Sequence, residues 1–66
     1  MKIITKKKAI KYIENEIESL NCKLFRDAYE AFGYVHTIMD VFYGLGILNN
    51  KEMDVLWNKL RKKTNL

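Results

Sequence analysis

Sixty-six residues and 7.9 kDa leave room for one hydrophobic core, so residues 1–66 are expected to form a single domain. Twelve basic residues against eight acidic ones give a net charge of +4, while one cysteine and one histidine exclude an internal disulfide and a Cys/His zinc cluster. A domain of this size buries only about 60% of its extended surface, and without such staples it is expected to lean on self-association or a partner.

Without proline, and with its three glycines confined to residues 33–46, the chain reads as helical almost throughout. The first helix is expected over about residues 5–20. Ile10, Ile13, Ile17 and Leu20 share one face, Thr5 stands as N-cap, and Asn21 offers a stop by tolerating the left-handed conformation. Lys6, Lys7 and Lys8 then fall in its first turn, where positive charge opposes the helix dipole.

The second helix is expected over about residues 23–45. Phe25, Ala28, Phe32, Val35, Met39 and Phe42 step by three and four, with Leu24, Ala31 and Ile38 on an adjacent stripe. This arc spans about half the circumference at 100° per residue, wider than a helix with one neighbour needs, so helix two is read as central. The run AFGYVHTIMDVFYGLGIL at 31–48 does not read as a membrane span. It is shorter than the roughly 20 residues required, and Asp40 near its centre costs about 2.5 to 3.5 kcal/mol.

The third helix is expected over about residues 50–63, joined to the second by a tight hairpin. Gly46 suits the left-handed C′ position, which makes Ile47 C″ and Phe42 C3. Asn49 with Glu52 resembles a capping box, Leu48 can staple onto Met53, and Met53, Leu56, Trp57 and Leu60 form the apolar face. Lys59, Arg61, Lys62 and Lys63 in the last turns match the dipole.

No catalytic, cofactor or metal site emerges. His36 lies at the edge of the apolar arc, Cys22 is fourteen residues away, and Ser19 has no acid and base arranged around it, so His36 reads as a boundary residue. Glu14, Glu16 and Glu18 alternate and do not share a helix face. Two features point to binding instead. The first is an aromatic and aliphatic interaction surface: Tyr29, Tyr34, His36, Val41 and Trp57, with Tyr34 and Val41 seven apart on the side of helix two away from its main arc. The second is a set of candidate anion or nucleic-acid contacts in two clusters: Lys6, Lys7, Lys8 and Lys11, then Lys59, Arg61, Lys62 and Lys63. Two arginines and no glutamine make a poor set for reading base edges.

Residues 44–60, GLGILNNKEMDVLWNKL, resemble the short C-terminal helical hairpins of bacterial proteins called SHOCT domains at Gly46, Ile47, Leu48, Asn49, Glu52, Leu56, Lys59 and Leu60. Met53 stands where that pattern has an aromatic. The resemblance implies an oligomerisation or interaction role and no catalysis. The whole chain is also similar in style to small lysine- and asparagine-rich helical proteins of phages and mobile elements in Gram-positive bacteria, some of which bind and inhibit host proteins.

The sequence thus predicts an all-α, three-helix domain with a central helix two and a tight hairpin into helix three. Its expected function is non-enzymatic and without cofactor: a protein-binding module that forms a homo-oligomer, with a dimer favoured, or binds a host protein. A small basic nucleic-acid-binding regulator is the alternative. The single Cys22 fits a reducing cytoplasmic setting, and lysines interrupt any apolar stretch that could serve as a secretory signal.

Overall fold

The computed structural model describes residues 5–65, apart from the side chain of Cys22. They form three α-helices, α1 (Lys6–Glu18), α2 (Ala28–Gly44) and α3 (Asn50–Thr64), with a short 3₁₀ turn at Cys22–Leu24 and no strand among the described residues. The outermost parts of the expected 1–66 domain, residues 1–4 and 66, lie outside them.

Thr5 caps α1 as its spacing predicts, with the hydroxyl accepting from the Lys8 amide at 3.2 Å. The helix ends at Glu18, two residues short of the expected Leu20. Asn21 does supply the break, but not through a left-handed backbone. Among the described residues the only non-glycine with positive φ is Asn65. Instead Asn21 Oδ1 accepts from the Lys23 amide and its carbonyl accepts from Leu24, both at 3.0 Å, so the side chain builds a turn of its own.

That turn also moves the start of α2. The helix begins at Ala28 rather than near residue 23, because Asp27 is an N-cap whose Oδ1 accepts from the Glu30 amide at 2.8 Å. A competing Asp-x-x-Glu start signal therefore outweighs apolar spacing that runs back to Phe25. Phe25 still packs against the core from outside the helix. Leu24, expected on a helical stripe with Ala31 and Ile38, is 81% exposed.

The hairpin follows the expected capping logic. Gly46 has φ +77°, its amide donates to the Tyr43 carbonyl, and the Ile47 amide donates to the Phe42 carbonyl, both at 3.0 Å. Asn49 and Glu52 form a reciprocal capping box with both bonds at 2.9 Å. Space around Gly46 is open, so an added Cβ meets only the left-handed backbone penalty of about 1 to 2 kcal/mol. Gly46→Ala is expected to lower the melting temperature by roughly 5 to 15 °C. Gly46→Asn should restore much of it, since asparagine tolerates this conformation. Equal melting of the wild type and the alanine variant, followed by circular dichroism, would remove this turn from the account.

Side-chain pairings give the topology. Tyr12 meets Phe42 and Glu16 meets Tyr34, so α1 and α2 are antiparallel. Phe32 meets Trp57 and Tyr43 meets Asn50, so α3 reverses again. Lys6 pairs with Glu52 and Glu14 with Lys59, which sets α1 and α3 side by side and parallel. The core gathers Ala9, Ile13, Ile17 and Leu20 from the α1 region, Ala31, Val35 and Met39 from α2, and Leu48, Leu56 and Leu60 from the hairpin and α3. Ile10, Phe32, Ile38, Phe42, Met53 and Trp57 pack around its edge. The α2–α3 seam is the most extensive of the three.

Candidate interaction surfaces

Three helices in a ring present three outer faces, and the sequence-predicted site residues divide among them. On the α1–α2 face, Tyr34, Val41 and Leu45 fall on one line along α2, because seven and eleven residues are close to two and three helical turns. Val41 is 55% and Leu45 68% exposed, with Tyr34 half-exposed at the other end. Tyr12 flanks them from α1, its ring edge-on to Phe42 at 6.3 Å. The Tyr34 hydroxyl donates to Glu16 Oε2 at 3.4 Å, and that carboxylate, with some desolvation, pushes the Tyr34 phenol above the ordinary tyrosine range. Leu45 and Tyr12 are absent from the interaction set read off the sequence. The i, i+4 step from Val41 to Leu45 was the signal available for the first of them.

The α2–α3 seam takes His36 and Trp57. His36 stacks on Phe32 with centroids 5.9 Å apart, and the Trp57 ring stands edge-on to both, at 4.7 Å from His36 and 4.9 Å from Phe32. These rings hold two helices together, so His36 and Trp57 do not belong to one outward face with Tyr34 and Val41. The His36 Nδ1 lies 3.6 Å from Asp40 Oδ2, a neighbour one turn along α2. Tyr29 is seven residues before His36 on the same flank and is 75% exposed. The five-residue surface predicted from sequence is therefore split across two sides of α2. The reason is physical: with α2 gripped by α1 and α3, its wide apolar arc has two flanks, and spacing alone does not say which flank a residue joins.

The α1–α3 face holds most of the lysines. A cleft of about 380 Å³ is lined by Ile10 of α1 and by Lys51, Glu52, Val55, Leu56 and Lys59 of α3. Two adjoining depressions, which meet at Glu14, share Ile10 and Lys59 respectively with it and extend it past Lys6, Lys7 and Lys11 at one end and Lys62 and Lys63 at the other. The parallel packing of α1 and α3 separates the two lysine clusters along this face instead of merging them. Lys8 and Arg61 do not line it, and Arg61 sits with Asn58 and Lys62 around another depression.

The unfavourable first turn of α1 is partly explained here. Lys6 Nζ reaches Glu52 Oε1 at 3.2 Å, and Lys59 pairs with Glu14, so two ion pairs brace the cleft. Glu52 is held below the ordinary carboxylate value of 4.5, chiefly by the Asn49 amide it accepts from, which outweighs the opposing desolvation, with smaller help from Lys6. A depressed folded-state value means that this contribution is complete above pH 4.5 and is lost as pH falls through the lower folded value. The gap in melting temperature between wild type and Glu52→Gln should therefore close on acidification through that window. A gap that stays constant down to pH 2 would show that ionisation of Glu52 contributes nothing.

Comparison of the chain with family models, curated proteins and solved structures finds no match. Among the described residues, no helix is long and apolar enough to cross a membrane, and no three His, Cys, Asp or Glu side chains are grouped to hold a metal ion. The functional reading accordingly rests on the three faces themselves.

Proposed function

We propose that the chain is a non-enzymatic, cytoplasmic protein-binding module whose α1–α2 face pairs with a second copy. The observation that carries this reading is the line of Tyr34, Val41 and Leu45. It remains exposed although Ala31, Val35 and Met39, on the adjoining side of α2, already close the core. Burying such a line on a second copy is one way for a domain of 66 residues to gain stability. Its length, about 16 Å from the helical rise, suits a self-complementary patch shared by two copies about a two-fold axis. The resemblance of residues 44–60 to SHOCT hairpins supports an association role in the same sense. A host protein of complementary shape would use the same residues, and an inhibitor or adaptor role would follow from that.

Sedimentation equilibrium tests the pairing over a concentration series at low and high salt. A dimer that is insensitive to salt, and that Val41→Glu converts to a folded monomer, is the expected result. A wild-type protein that is monomeric at every concentration would overturn self-pairing.

A further inference from the structure

We propose that the cleft between α1 and α3 is a second docking site, which takes an acidic amphipathic helix from another protein. The inference does not depend on how the α1–α2 face is used, because the two faces share neither their exposed side chains nor their charge.

Charge distribution is the first argument. The residues lining the cleft and its two extensions include seven lysines and three glutamates, a net charge of +4. That equals the net charge of the whole chain, so the rest of the sequence carries five basic and five acidic residues and is neutral. Lys6 and Lys59 are engaged across the cleft by Glu52 and Glu14, whereas Lys7, Lys11, Lys51, Lys62 and Lys63 have no ion pair among the described residues. Carboxylates on a partner would meet these five.

Shape and floor decide what kind of partner bears the carboxylates. The floor is apolar: Ile10 is half-buried, Val55 is 53% exposed and Leu56 closes the base. The cleft follows α1 for about 20 Å, so it accommodates some four turns of a helix lying lengthwise. Because α1 and α3 run parallel, a third helix laid against both in the opposite sense sets its dipole favourably against each. An amphipathic helix with an apolar stripe and acidic flanks matches floor and rim together. A nucleic-acid backbone matches only the rim, leaves Ile10 and Val55 facing phosphate, and meets Glu14, Glu18 and Glu52. Arginine, the usual bidentate partner of phosphate, is absent from the lining.

Fluorescence anisotropy with three labelled probes tests this. The first is a 16-residue peptide with leucines at helical spacing and glutamates on the flanks, the second a scrambled peptide of the same composition, and the third a 16-nucleotide single-stranded DNA. The patterned peptide is expected to bind at least tenfold more tightly than the scrambled one and than the DNA. Val55→Glu and, separately, Lys51→Glu should each weaken it at least tenfold while helical circular dichroism is unchanged. Both positions are exposed, so either variant can serve if the other misfolds. Equal binding of both peptides would reduce the cleft to unspecific charge and overturn the proposal. Tighter binding of the DNA, falling steeply with salt, would overturn it in favour of a phosphate-binding surface. Absence of binding by all three probes would likewise remove the site.

Discussion

Replacing Leu60 by alanine is expected to lower the melting temperature by roughly 10 to 30 °C. Leu60 is fully buried, one turn on from Leu56, and stands in the one cluster shared by all three helices. Loss of a buried leucine side chain costs about 2 to 5 kcal/mol in transfer and cavity terms. A domain of this length has a total stability of only about 3 to 10 kcal/mol, so the substitution removes a large share of it. Association stabilises the folded state in a concentration-dependent way, and both proteins must therefore be melted at the same concentration. A shift below about 5 °C would mean that the three helices do not close on this residue.

Val41→Glu should have the opposite signature, with a large effect on assembly and almost none on the fold. In the single chain Val41 is more than half exposed, and a substitution there is worth within about 0.5 kcal/mol of zero. At a two-fold interface the same residue is lost from both copies and a carboxylate is brought against an apolar surface twice. Each lost valine forfeits about half of the roughly 1.5 kcal/mol or more of full burial, because the other half is already buried in the single chain, so the dimer should weaken by at least roughly tenfold. Sedimentation equilibrium and thermal melting of the same sample separate the two effects. Retention of the dimer would place the interface elsewhere, whereas a lowered melting temperature in dilute, monomeric samples would mean that Val41 supports the fold itself.

The dependence of these outcomes on flank and face shows where sequence reading reaches its limit. Caps and turns are local, because their hydrogen bonds join residues two to five apart, and they were legible. Thr5, Gly46 and Asn49 with Glu52 behave as their positions predict. Asp27 belongs to the same class and carried a readable signal, but the apolar spacing that runs back to Phe25 masked it. Asn21 was placed correctly as a break and acts through its side chain instead of its backbone. Surfaces were less legible. Tyr34 and Val41 are exposed as the wheel of helix two suggests, yet His36 and Trp57 join each other across the seam with α3.

By itself, the sequence determined that this chain is three helices, where the hairpin turns and that Tyr34 and Val41 lie off the main apolar arc, because each follows from period and short-range bonding. Only the tertiary structure decided that α1 and α3 run side by side. Lysines separated by more than forty residues line one cleft and its extensions as a result, braced by Lys6 with Glu52 and Lys59 with Glu14. Periodicity assigns a residue to a face of its own helix, but which face of another helix it meets depends on how the three cylinders close around Ile13, Met39 and Leu60.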